Sequence, residues 1–150
     1  MTHIVLRAAR NSDWNVIRSL LVTSRLPTEG AKEHLNAFLV AMDQLELVGC
    51  GGLELYGNAA LLRSVTVSAP HRNKGLGREL VHALLSEASS RNVQHLVLLT
   101  DTAEAFFRRL GFTTVERSQL PAAVMASEEF RGACPASATA MRLALSTPGK

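Results

Sequence analysis

The chain has only two cysteines, Cys50 and Cys134, and they form no Cys-x-x-Cys pair. That spacing excludes a thiolate zinc site and a dithiol redox motif. Cys50, set in an apolar strand pattern, reads as a small buried hydrophobe. Long apolar runs are missing too: none approaches the roughly 20 residues that span a bilayer, and no signal-peptide pattern opens the chain. The expectation is a cytoplasmic protein with no membrane partner. Positive charge is nowhere massed, since the net +3 comes from scattered Arg and Lys, which argues against a nucleic-acid partner. Two common nucleotide signatures are also lacking. No Gly-x-x-x-x-Gly-Lys-Ser/Thr occurs, and Gly75-Leu-Gly-Arg-Glu-Leu80 carries leucine where the dinucleotide pattern needs its third glycine. No internal repeat and no metal-ligand spacing is present.

What remains is an ordinary composition, 47% hydrophobic and 19% charged over 150 residues, which suits one domain around one core. Residues 1–145 read as that domain and 146–150 as a frayed tail. A strand is expected at 3–8. Asn11 or Ser12 then caps a helix with Trp14, Ile17, Leu20 and Leu21 on its apolar face, which must stop before Leu26-Pro27. A short helical piece through Glu33 and Leu35 leads to strands at 37–41 and 46–56. Gly49, Gly51 and Gly52 in the second predict a bulge or a close backbone approach. Gly57-Asn58 reads as a two-residue hairpin turn into a strand at 59–67. The run 94–100 reads as a central strand. Asp101-Thr-Ala-Glu104 has a capping-box pattern and opens a helix with Ala103, Phe106, Phe107 and Leu110 inward, ended by Gly111. A strand at 112–116, a short helix at 121–125 and a last strand at 139–145 complete the order.

The densest chemistry lies at Val67-Ser-Ala-Pro-His-Arg-Asn-Lys-Gly-Leu-Gly-Arg78. An apolar strand ends there, a basic glycine-bearing loop turns, and a helix opens at about Leu76. Gly77, Leu80, Val81, Leu84, Leu85 and Ala88 fall on one face of it. First-turn amides have no partner inside a helix and carry partial positive charge. Gly75 and Gly77 let a phosphate approach them, and Arg72, Lys74 and Arg78 add formal charge.

Arg72-Asn-Lys-Gly-Leu-Gly77 fits the Arg/Gln-x-x-Gly-x-Gly/Ala signature of the GCN5-related N-acetyltransferases (GNAT), and the predicted element order resembles that family from end to end. The resemblance implies an α/β fold with a splayed, mostly antiparallel mixed sheet and helices on both faces. It implies acetyl-coenzyme A as cosubstrate, with no metal. The diphosphate would lie on Arg72, Asn73, Lys74, Gly75, Leu76, Gly77 and Arg78, and the pantetheine on the backbone of Val65 and Val67, with Phe106 and Phe107 nearby. Leu26-Pro-Thr-Glu-Gly30 with His34, Ala60-Leu-Leu-Arg-Ser64, Ala105-Phe-Phe107 with Leu110-Gly-Phe112, Ser127-Glu-Glu-Phe130 and Cys134-Pro-Ala-Ser137 look like the arsenic-resistance N-acetyltransferases of bacterial arsenic operons. A more distant likeness is to N-acetylglutamate synthases. Both imply a small anionic amine as partner, and the family suggests a homodimer.

Acyl transfer to an amine needs a base, an oxyanion stabiliser and a proton for the leaving thiolate. Glu54, between Leu53 and Leu55, is the candidate base, with a pKa expected to be raised by burial; it can equally pair with Arg63 across the hairpin. Arg63 is a lone charge in an apolar strand and suits either an anionic acceptor or that carboxylate. Glu29, His34 and Tyr56, the only tyrosine, are candidate acceptor contacts. Phe107 stands where many relatives carry a tyrosine acid, so either Ser64, Thr100 or water protonates the thiolate or it leaves unassisted. With no evident His partner for Cys50 or Cys134, direct attack on the thioester is the simpler route. The expected activity is N-acetylation of an amino-arsenical. A glutamate-type N-acetyltransferase and a catalytically silent coenzyme A sensor are the alternatives.

Overall fold

The computed structural model describes residues 3–145; the tail expected at 146–150 lies outside the described residues. Seven strands form one sheet. They are β1 (Ile4–Ala8), β2 (Phe38–Asp43), β3 (Glu46–Tyr56), β4 (Ala59–Val67), β5 (His95–Thr100), β6 (Thr113–Thr114) and β7 (Thr139–Ala144). Their order across the sheet is β1-β2-β3-β4-β5-β7-β6, and all neighbours are antiparallel except β4 and β5. Helices α1 (Trp14–Thr23), α2 (Leu76–Ser90) and α3 (Glu104–Arg109) complete the frame.

The two faces follow from strand alternation. On one, Leu53, Ala60, Leu62, Leu96 and Leu98 meet Val81, Leu84 and Ala88 of α2, with Phe107, Phe112 and Met141 closing the same cluster. The other face packs Phe38, Val40 and Cys50 against Ile17 and Leu21 of α1. Further along, Leu61, Val97 and Ala140 are covered by Leu120 and Val124 from irregular turns. Those turns cover the part of the sheet beside Tyr56 and Leu99, and Glu54 and Arg63 are buried on the same face.

Three glycines of β3 fulfil both sequence expectations. Between Cys50 and Gly52 the register with β4 shifts, so Ser64 and Val65 oppose Gly51 alone. A Cβ on Gly51 would lie 2.8 Å from Leu84 of α2, and one on Gly52 would lie 2.1 Å from the ring of Phe38. Without those hydrogens-only positions neither α2 nor Phe38 could seat on the sheet.

Local expectations fail where a different hydrogen bond wins. Neither Asn11 nor Ser12 caps α1. A 3-10 turn, Asn11–Asp13, comes first, and the Asp13 carboxylate accepts the Arg10 amide at 2.7 Å and both arms of Arg7 at 2.8 and 3.0 Å. That pairing holds the Asp13 carboxyl below its usual range. The capping box at 101–104 is not made: α3 begins at Glu104 without a side-chain cap, and Thr100 Oγ1 accepts the Ala103 amide at 2.9 Å instead. The strand expected at 112–116 shrinks to Thr113–Thr114. The tight turn at Glu129–Ala133, with Gly132 at φ 119, was not anticipated.

Gly52→Ala should cost about 1–3 kcal/mol, the range of overpacking in a dense core, read as a lowered urea midpoint. Adding Phe38→Leu should recover part of the loss. An unchanged midpoint for Gly52→Ala would refute the close approach.

Candidate active site

The end of β4 runs through Ser68 into a 3-10 turn, Ala69–His71, and then the basic loop. Asn73 (φ 63) and Gly75 (φ 82) are left-handed, and Gly75 is the residue from which α2 starts. This backbone path turns the first amides of α2 outward. Arg72, Lys74 and Arg78 are exposed around them, so the loop presents unpaired N–H groups inside a positive rim, the arrangement that receives a phosphate. The loop is braced from behind. His71 hydrogen-bonds Ser68 Oγ through Nδ1 at 3.0 Å and Asp43 Oδ2 through Nε2 at 3.1 Å, which fastens it to the end of β2.

Beside the loop the sheet opens. β4 and β5 pair only over Ala59–Leu61 and His95–Val97, after which β5 follows β7 to Thr100 while β4 continues along β3. The bulge lies on this stretch: Ser64, a non-glycine residue, takes φ 63 in the middle of a strand. Bulges of this kind re-aim side chains next to active sites. A Cβ on Gly77 would come within 3.7 Å of Phe106 and 3.9 Å of Val67, so loop, α3 and strand end converge on the mouth of the gap. The Val67 carbonyl accepts Arg72 Nε at 2.9 Å, which leaves that carbonyl already engaged. Phe107 is buried between the rings of Phe106 and Phe112, at 5.0 and 5.7 Å. It belongs to the core, not to the wall of the gap.

On the opposite face of β3 and β4, four sequence-singled residues come together. Glu54 is 1% exposed. Its Oε2 accepts Arg63 Nη1 at 2.6 Å and its Oε1 accepts the Tyr56 hydroxyl at 2.5 Å. His34 Nε2 stands 3.7 Å from the same Oε1, at the rim. Burial and the Glu54 carboxylate both push the Tyr56 phenol above its ordinary range, because each penalises a phenolate there.

Of the two expectations for Arg63, the structure shows the pairing with Glu54, with no nitrogen left over for an anionic acceptor. Its side chain is fully buried, and every nitrogen has a protein acceptor. Nη1 also donates to the Glu29 carbonyl at 2.8 Å, Nη2 to the Pro27 carbonyl at 3.1 Å, and Nε to Ser64 Oγ at 3.0 Å. The guanidinium therefore ties the 27–30 loop to the sheet. Gly30 is part of that fit, since a Cβ there would lie 3.2 Å from Nη1. Glu29 contributes its carbonyl, while its carboxylate turns back to the Thr28 amide at 3.1 Å. The hydroxyls of Ser64 and Thr100 are likewise engaged, on Arg63 and on the Ala103 amide.

Sequence reasoning missed Glu129. It is 4% exposed, its Oε2 lies 3.4 Å from Arg63 Nε, and its carboxyl is hydrogen-bonded to Cys134. The only available signal was the Ser127-Glu-Glu-Phe130 string, in which nothing marks one glutamate as inward. Burial pushes the Glu129 carboxyl up to about 7, against the pull of Arg63. Cys50 and Cys134 are each pushed up to about 12 by burial, so neither offers a thiolate nucleophile at neutral pH.

The comparisons with known proteins agree with this geometry. Residues 34–114 match the model of the Acetyltransferase (GNAT) domain. The chain is 33% identical over 94 residues to the uncharacterized N-acetyltransferase CT2212 of Chlorobaculum tepidum, an alignment covering 62% of this chain and 60% of that protein; it thus spans less than two thirds of that relative. Rv2747 from Mycobacterium tuberculosis, solved in complex with CoA and NLQ, superposes with a TM-score of 0.78 at 27% identity over 95% of this chain and 99% of that one. The N-acetylglutamate synthase of Neisseria gonorrhoeae, complexed with coenzyme A and N-acetyl-glutamate, shares the fold at a TM-score of 0.83 and 19% identity, over 97% of this chain and 36% of that one. With the splayed sheet, the glycine loop opening α2 and a family match across more than half its length, the chain belongs to the GNAT acetyltransferases.

Proposed function

We propose that the chain is an acetyl-CoA-dependent N-acetyltransferase acting on a small amine that carries an acidic group. The observation that carries the reading is the open edge of β4 beside the Arg72–Arg78 loop, with Glu54 and Tyr56 on the far side of the same two strands. Acetyl-CoA supplies the thioester whose carbonyl the amine attacks. The amides of 73–78 and the side chains of Arg72, Lys74 and Arg78 hold the diphosphate, and Val65 and Val67 present strand edge to the pantetheine amides. Arg72 leaves the Val67 carbonyl when it turns to phosphate.

Glu54 takes the amine proton, but not by direct contact. Both its oxygens are occupied and its side chain is 1% exposed. Tyr56 bridges it to the acceptor: the phenol oxygen receives a proton from the amine, directly or through water, while its own proton passes to Glu54 Oε1. No phenolate forms, in keeping with the upward push on the Tyr56 phenol. Arg63 pairs with the Glu54 carboxylate and holds the 27–30 loop over the acceptor, with His34 at the rim as an acceptor contact. Water, Ser64 or Thr100 protonates the leaving thiolate, since both hydroxyls accept hydrogen bonds, from Arg63 and from the Ala103 amide, and keep their own protons to donate.

For the acceptor itself, the resemblance of 26–30, 60–64, 127–130 and 134–137 to arsenic-resistance N-acetyltransferases supports an amino-arsenical. A glutamate-type amino acid is the second reading, favoured by the fold neighbour solved with N-acetyl-glutamate. A side-by-side assay of thiol release with both amines decides between them. Tight acetyl-CoA binding without turnover on any amine would leave only a coenzyme A sensor.

Glu54→Gln and Tyr56→Phe should each lower kcat by about a hundredfold, the lower range for loss of general base catalysis, with KM for acetyl-CoA unchanged. A Tyr56→Phe enzyme at full kcat would remove the bridge. Arg72→Ala should raise KM for acetyl-CoA about tenfold, the worth of one charge-assisted hydrogen bond, and leave KM for the amine in place. Equal changes in both constants would detach Arg72 from the diphosphate.

A further inference from the structure

Arg63 is a single guanidinium set between two carboxylates, Glu54 at 2.6 Å on Nη1 and Glu129 at 3.4 Å on Nε, with all three side chains at most 4% exposed. If both carboxylates were ionised, the buried cluster would hold an excess negative charge beside the Glu54–Tyr56 pair assigned to the acceptor. Such a charge is costly in itself, and it repels an acidic acceptor. Among the described residues, Arg63 is the one guanidinium in contact with either carboxylate. Around Glu129 stand Arg63 from β4, the Cys134 thiol from its own segment and, across the guanidinium, Glu54 from β3. Tyr56 and His34 adjoin Glu54 on its other side, and Arg117 acts on Cys134. His34, 3.7 Å from Glu54 and 31% exposed, is the imidazole beside the cluster.

We infer that Glu129 is the residue that sets the charge preference for the acceptor: it carries a proton while an acidic amine is bound, so that one guanidinium balances one carboxylate. The inference rests on the acceptor site proposed above. Glu129 is the buried carboxylate with the longer contact to Arg63, 3.4 Å against 2.6 Å for Glu54, and so the less firmly paired of the two; burial pushes its carboxyl up to about 7 against the pull of Arg63. Linkage then works in both directions: an anion bound over the cluster draws the proton onto Glu129, and the proton tightens the anion. Above the titration of Glu129 the site turns against acidic amines, while a neutral amine is little affected.

The test compares glutamate with glutamine, which differ by one negative charge, as acceptors between pH 6 and 8.5. The ratio of their KM values should rise about five- to tenfold with pH, the effect of one added charge several ångströms away at an intermediate dielectric. Glu129→Gln should hold the ratio low and flat, and His34→Gln should keep the rise. A ratio that does not move with pH, or a rise that persists in Glu129→Gln, overturns the inference. So does a rise that disappears in His34→Gln, and that arm decides the matter even if Glu129→Gln fails to fold. Absence of turnover with both amines across the pH range is a different result: it removes the glutamate-type acceptor and overturns this inference, while the enzyme reading stands or falls with the wider amine assay.

Discussion

The decisive constraint is that β4 loses its parallel partner after Leu61 and Val97 and keeps only β3 beyond that point. A strand edge inside a protein needs hydrogen-bond partners, and here the gap faces the basic loop, Phe106 of α3 and the turn at Ser64. The rest of the chain is arranged to hold that gap open. Gly51 and Gly52 let α2 and Phe38 press against β3 from opposite sides, so the sheet is clamped where it would otherwise close. The bulge at Ser64 then gives β4 the extra residue that separates the strand's two tasks, pairing with β3 and presenting an edge to the gap.

Behind the gap, Arg63 converts strand geometry into a site. It is buried, yet it reaches the carbonyls of Pro27 and Glu29 and the carboxylates of Glu54 and Glu129. Two otherwise irregular segments, 27–30 and 127–134, are thus held over the sheet by one side chain. Losing it would leave two carboxylates unbalanced and two loops untied, so its effect on acceptor binding is indirect. The Tyr56–Glu54 contact shows the same economy, because the hydroxyl that meets the enclosed carboxylate belongs to a half-buried side chain.

Much of this was readable from sequence because it is local or periodic. The phosphate loop is a contiguous string whose strand, glycines and helix each have their own signal. Alternation along β3 and β4 put Glu54, Tyr56 and Arg63 on one face, and the glycines of β3 announced a bulge or a close approach. What failed depended on partners distant in sequence or on competition between neighbours. Thr100 accepts the Ala103 amide ahead of a helix that starts only at Glu104, so Asp101 is not its cap, and Arg7 with the Arg10 amide holds Asp13 in a 3-10 turn where Asn11 or Ser12 was expected to open α1. The expectation that Arg63 greets a substrate overlooked carbonyls from a loop some 35 residues earlier. Glu129 had no periodicity to betray it: it sits in a tight turn whose placement is set by tertiary contact alone, and its neighbour Glu128 is exposed.

Amide hydrogen exchange, measured residue by residue with and without acetyl-CoA, tests the central claim most directly. If the gap and its loop receive the cosubstrate, the amides of 73–78 and of Val65 and Val67 should exchange markedly more slowly in its presence, with β1 and β2 unchanged. Unaltered exchange over 65–78 at saturating acetyl-CoA, or protection confined to another part of the sheet, would contradict it.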